Sequence, residues 1–361
     1  MAVTFDHTGE PAFGSDRARQ ARWGWTGMTE VDVREKTYTF LRMALVALLL
    51  SLGVAVIWQT YRQGWHILDS VSAYYYTPAQ PIFVGALIGL CACMIALRGE
   101  NTPEEVFLNL GGMFAAGVAV VPTSRGGDYR SAIEACKQAS SPLLTQQPGG
   151  VDCPSVLALE QATRANVENN LVALLVVGAL ALAATWFLAS RNTSPGGGTQ
   201  SLAFRWGFWT SVAVVAVTAV LLVVNLDVII ANYHFISAVG LFVCIVAVAV
   251  SNAVRRDRLE VAGSGAAMAG PGLRAGLTAL RPEAGRRPNL YAGFAWALLA
   301  VAVVGVIAVR AGLVSLFWLE LAAALLFILF WLAQTFAELS PRDEGSDAGT
   351  AADTAGAPSP R

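Results

Sequence analysis

Imidazole, carboxylate, hydroxyl and phenol side chains gather in a few short stretches of an otherwise apolar chain, and these are the positions able to do chemistry. The stretch 65–81 reads WHILDSVSAYYYTPAQP and supplies His66, Asp69, Ser72, Tyr74, Tyr75 and Tyr76. Asp227 stands at the end of one apolar run, His234 and Ser237 open the next, and Glu320 interrupts the string FWLELAA. Serine and tyrosine hydroxyls bind polar ligands through directional hydrogen bonds. A carboxylate in apolar surroundings carries a proton, holds a cation or pairs with an opposite charge. Imidazole with carboxylate suits zinc or a similar ion, and His66 and His234 with Asp227 or Glu320 are the candidates for such a site.

Each position also has a plainer reading. Trp65 with Tyr74, Tyr75 and Tyr76 suits an interfacial aromatic belt. Asp69 suits a loop charge or a helix cap, and Asp227 a solvated charge just past the end of a span. His234 suits a hydrogen-bonded structural histidine. Glu320 is the hardest to assign to solvent, because among Phe317, Trp318, Leu319 and Leu321 it must face the bundle interior or stay protonated.

The elements that hold these residues follow from composition. The 361 residues are 55% hydrophobic and 14% charged, and the mean hydropathy is +0.54. A soluble core of this length cannot absorb so much apolar surface, whereas lipid can. A hydrocarbon core of about 30 Å needs roughly 20 apolar residues in a helix. Apolar runs near 40–58, 82–97, 106–122, 171–189, 208–225, 235–254, 292–309 and 313–336 predict an all-α, polytopic membrane helix bundle of about eight spans. The second and third are short and rich in small residues, which predicts shielding by partner helices. Gly111, Gly112 and Gly117 behind Asn109, and the Gly85/Gly89 pair, predict close helix packing.

Orientation comes from counting Lys and Arg on alternate sides of the spans. Eighteen, including the cluster Arg255, Arg256, Arg258, Arg274, Arg281, Arg286 and Arg287, fall on the side of both termini, against Arg62, Arg125, Arg130, Lys137, Arg164 and Arg310 on the other. Both termini are therefore expected in the cytoplasm, with the basic loop 255–290 as a topology anchor facing anionic lipid. The amino tail, 1–39, is too long and charged for a secretory signal, so the first apolar run is expected to remain a membrane helix. Both that tail and 338–361 have a composition expected to be disordered, and the SPGGG at 194–198 and the segment 262–288 read as flexible connections.

The largest piece outside the spans is the loop 123–170, an extracytoplasmic cap over the outer face. It holds Cys136 and Cys153, seventeen positions apart on the side expected to be oxidising, and a disulfide is expected between them. Short helices are expected at 131–139 and 155–170, the second leading into the fourth span. Asp69, Ser72, the three tyrosines, Asp227, His234 and Glu320, the last about 10 Å into the membrane, share this outer depth.

At 70–87, SVSAYYYTPAQPIFVGAL, the chain resembles a family of bacterial integral membrane proteins with no assigned activity, and the resemblance continues through VVPT at 120–123, HFISA at 234–238 and FWLELAA at 317–323. It implies a multi-pass protein of the bacterial plasma membrane and emphasises Ser72, Tyr74, Tyr75, Tyr76, His234 and Glu320. A looser similarity runs to the seven-helix ceramidase-like and progestin-receptor-like membrane proteins, whose hydrolases use a Ser, an Asp and three His around zinc. Ser72 and Asp227 match that pattern in type, but no HxxxH pair occurs, so His234 and Glu320 would have to hold the metal or activate water.

Net charge of −1 leaves no basic excess for nucleic acid. No GxxxxGK[ST] loop or CxxCH string is present, which disfavours a primary pump and an electron carrier. The lipid bilayer is the one partner the composition requires, and no cofactor is expected. The expected function is to bind, sense or move a small molecule or lipid through a polar pocket near the outer leaflet. The alternative is a metal-dependent hydrolase of a lipid amide or ester.

Overall fold

A computed structural model describes residues 30–99, 101–123, 127–138, 153–191, 202–263 and 289–339. The expected tails up to residue 29 and from 340 on, the SPGGG connection, and Arg274, Arg281, Arg286 and Arg287 lie outside the described residues. Among the described residues there are nine α-helices, one 3-10 turn and no β-strand. The helices are α1 (Glu30–Arg62), α2 (Gln80–Ala96), α3 (Thr102–Val120), α4 (Gly127–Gln138), α5 (Cys153–Arg191), α6 (Leu202–Val224), α7 (Leu226–Gly263), α8 (Leu290–Arg310) and α9 (Leu316–Leu339). The 3-10 turn, Ser72–Tyr76, lies between α1 and α2.

Six helices, α1 and α5 to α9, are long and apolar enough to cross a membrane. Helix α2 is apolar but has 17 residues, and α3 has 19, with Glu104 and Glu105 in its first turn. Helix α1 starts at Glu30, ahead of the boundary expected at 40. The helix expected at 155–170 leads into the fourth span without a break: α5 runs for 39 residues, about 58 Å at the α-helical rise. No Gly or Pro occurs between Pro154 and Gly178 to interrupt it.

Helices α1, α2, α3, α7, α8 and α9 pack in a closed circuit, each on the next, with α9 returning to α1. The hairpin of α5 and α6 lies outside this circuit against α3 and α7, and α4 packs on α5. Consecutive long helices alternate in direction. The loop after α1 meets the start of α9 through the Phe317 N–H and the Asp69 carbonyl, 2.8 Å apart, and the end of α3 through Tyr76 and Thr123. At the opposite end Asn289, which caps α8, donates to the Ala253 carbonyl of α7 at 2.9 Å. We call the first the cap end, because α4 and the disulfide lie there, and the second the tail end, where Glu30 and Leu339 lie.

The interior is filled by two apolar clusters. Toward the tail end, Leu45, Met94, Leu108, Val248, Leu298 and Trp331 meet, and toward the cap end, Leu52, Tyr74, Phe83, Val121, Leu171 and Phe317. Small residues let α3 sit deep among its neighbours, as its composition predicts. A Cβ on Gly111 would lie 2.6 Å from the Met94 methyl, one on Gly112 would lie 2.9 Å from Ile95, and one on Gly117 would lie 2.6 Å from the Ser237 hydroxyl. The Gly85/Gly89 pair divides: Gly89 packs against Leu48, whereas Gly85 faces open space and brings no helix closer.

Candidate functional site

Local sequence builds the cap-end loop. Gly64 and Trp65 take left-handed backbone, φ 69° and 64°, and end α1, with the Trp65 N–H returned to the Thr60 carbonyl at 2.9 Å. Thr77, which precedes Pro78, is extended at φ −120° and ψ 172°, and Pro81 occupies the first turn of α2. Between these stops, residues 72–76 have room for only a single 3-10 turn.

Glu320, near the start of α9, caps this turn. Its Oε2 accepts the Val71 N–H at 2.5 Å and the Ser72 N–H at 3.3 Å, and its Oε1 accepts the Ser72 hydroxyl at 3.1 Å. Two backbone donors that the turn cannot satisfy internally thus receive a carboxylate from a helix some 250 residues away. This geometry favours a structural staple over a proton carrier open to a ligand.

The three tyrosines are locked in three directions. Tyr74 is fully buried, with its hydroxyl bonded to Thr60 of α1 and its ring 6.2 Å from Phe317. Tyr75 meets Phe83 of α2 edge to face, with centroids 6.1 Å apart. Tyr76 donates to the Thr123 carbonyl beyond α3 at 2.5 Å. The belt reading is therefore corrected for Tyr74 and Tyr75, which are buried, while Trp65 is exposed as a belt residue would be. Both are buried because the loop folds inward over the helix ends, where Tyr74 finds Thr60 for its hydroxyl and Tyr75 finds Phe83 for its ring.

His234 and Ser237 serve the junction of α7 with α3. Pro122 ends α3, leaving Val121 extended, and its carbonyl accepts the buried His234 Nδ1–H at 2.7 Å. Because a carbonyl only accepts, this bond places the proton on Nδ1. Ser237 is buried where its hydroxyl abuts Gly117. Asp227, whose side chain is 76% exposed, is paired with Arg164 of α5, the Arg Nη1 donating to Oδ1 at 2.7 Å. Asp69 and His66 are exposed on the loop.

These residues lie toward the cap end but do not converge on one point. Among the described residues no three His, Cys, Asp or Glu side chains come together as a metal site would need. His66, His234, Asp227 and Glu320 each occupy a different place, so the donor set of a zinc hydrolase is not assembled.

What the cap end does assemble is a cavity of about 250 Å³. One wall is Tyr75, Tyr76, Thr77 and Gln80, the floor includes Pro122, and the other wall is the outer third of α5, with Thr163 and Asn166. Among the described residues lining it none is charged, and polar atoms dominate its surface. Only Tyr75 and Tyr76 were legible as candidates. Thr77 and Gln80 lie within the stretch 65–81 but are not among the candidates drawn from it, and Thr163 and Asn166 carry no motif, their one signal being the polar face that 159–170 presents on a helix heading into lipid.

The cap is joined to this wall by the disulfide of Cys136 with Cys153, whose Cα atoms lie 5.5 Å apart. It ties α4 to the first turn of α5, some two turns ahead of the cavity.

No protein-family model, curated protein or solved structure matches this chain.

Proposed function

We propose that this chain is a multi-pass protein of the bacterial plasma membrane that binds, senses or passes a small polar molecule, or the polar head of a lipid, at the cap-end cavity. The observation that supports this is the uncharged, hydroxyl- and amide-lined cavity between the 3-10 turn and α5. A ligand of roughly eight water-sized groups fills about 250 Å³. An uncharged lining recognises such a ligand by hydrogen bonds, since a bare charge there would lack a counter-charge.

In this reading all eight long helices cross the bilayer, with α2 and α3 able to be short because neighbours cover them. Both termini face the cytoplasm and the cap end faces out, as the distribution of Lys and Arg favours. A disulfide at the cap end fits an oxidising outer side, and the excess of Arg over Lys fits a GC-rich bacterial genome.

Native mass spectrometry of the purified protein beside the variant Gln80→Leu/Asn166→Leu tests the reading. A small-molecule or lipid-sized adduct on the wild type, lost from the folded variant, is the expected result. An adduct retained in full by the variant would move the site elsewhere.

A further inference from the structure

One turn beyond the tail-end apolar cluster, the interior turns polar. Arg42 lies three residues before Leu45 on α1, Glu104 four before Leu108 on α3, Asn252 four after Val248 on α7, and Gln334 three after Trp331 on α9. At helical spacing each sits below its apolar neighbour on the same face, and in each helix that step leads toward the tail end. The four are 4%, 2%, 0% and 1% exposed. They form one buried polar layer across the tail end of the circuit.

Part of this layer is satisfied internally. Asn252 Nδ2 donates to Glu104 Oε1 at 2.7 Å and to the Val248 carbonyl at 3.0 Å. Part is not: Gln334 Nε2 and Oε1, Trp331 Nε1 and Asn252 Oδ1 are buried with no hydrogen-bond partner among the described residues. Two donors and two acceptors of neutral side chains thus stand open in one layer. A buried amide without a partner is costly, and Leu at 334 would fill the space without that cost.

We propose that this layer is a second binding site, taking a small solute of zero net charge that both donates and accepts hydrogen bonds. Donors on Gln334 and Trp331 receive the solute's acceptor, and the oxygens of Gln334 and Asn252 receive its donor. The open atoms of Gln334, Trp331 and Asn252 belong to neutral side chains, so a solute with a net charge would find no counter-charge among them, whereas a zwitterion carries its counter-charge on itself. The site is separate from the cap-end cavity and does not depend on it.

The test uses the full-length protein in lipid nanodiscs, with glycine as the smallest zwitterion and acetate and methylammonium as its singly charged fragments. Glycine is expected to raise Tm saturably by a few degrees, with neither fragment doing so at equal concentration. Gln334→Leu is expected to keep or raise the Tm of the unliganded protein and to abolish the glycine shift. Gln80→Leu/Asn166→Leu, at the cap end, is expected to retain it. The Trp331 indole ¹⁵N–H resonance, assigned with Trp331→Phe, should move on glycine addition. The proposal is overturned by any of three results: no saturable shift in the wild type, an equal shift in Gln334→Leu, or an equal response to a charged fragment. An indole resonance unmoved by glycine overturns it even where the Leu variant does not fold.

Discussion

Ser72 and Glu320 stand 248 positions apart, and the Ser72 hydroxyl donates to the Glu320 carboxylate at 3.1 Å while the backbone of Val71 and Ser72 donates to the other oxygen. This contact joins the α1–α2 loop to α9 and closes the helix circuit at the cap end. It also gives the carboxylate a reason to lie among apolar neighbours.

Removing that cap should loosen the loop. Glu320→Ala leaves the Val71 and Ser72 N–H groups without an acceptor and is expected to cost about 2–3 kcal/mol. Glu320→Gln keeps one carbonyl oxygen for them and should cost about half as much. Thermal unfolding in detergent distinguishes the two, and equal stability of Glu320→Ala and wild type would remove the staple.

Gly117 and Gly85 should respond in opposite ways to a methyl group. Gly117→Ala drives a Cβ to 2.6 Å from the Ser237 hydroxyl and 3.0 Å from the Tyr233 ring, and is expected to destabilise by about 1–3 kcal/mol. Gly85→Ala meets nothing within 4 Å and should be neutral or slightly stabilising through helix propensity. The pair compared by thermal unfolding checks how closely α3 approaches α7.

The disulfide predicts both a labelling pattern and a stability change. Cys136 and Cys153 should resist a membrane-impermeant maleimide on intact cells until a reductant is added, then react from outside. Reduction should lower the stability of the cap by on the order of 3 kcal/mol, because a 17-residue loop is released. Labelling from the cytoplasmic side alone would reverse the proposed orientation.

Asp227 tests whether depth alone makes a site. Its partner is Arg164 and its side chain is mostly in solvent, so Asp227→Asn is expected to change stability by less than about 1 kcal/mol. Ligand retention in native mass spectrometry should be unaffected, since Asp227 does not line the cavity.

Much of the architecture was legible without coordinates. Apolar runs of bilayer length follow from composition, so the helices and their order could be read directly, and the Cys136–Cys153 pairing followed from two cysteines in one loop. Hydropathy marks where a helix enters lipid, whereas the helix itself ends only where Gly, Pro or a cap stops it, so the helix expected at 155–170 and the span expected at 171–189 form the single α5. Gly85 was misread because GxxxG spacing identifies a face but not what that face meets.

By itself the sequence determined that this is an all-helical chain with long apolar helices, and which few polar residues are set among them. Tertiary structure alone decided what those residues do. Glu320 reaches a backbone turn, His234 a carbonyl freed by Pro122, and Asp227 an arginine, while Gln80 and Asn166 line one cavity and Gln334 faces the interior with no partner among the described residues. The physical reason is that burial in lipid is a property of a segment's own composition, but a polar side chain's partner is set by packing between helices far apart in the chain.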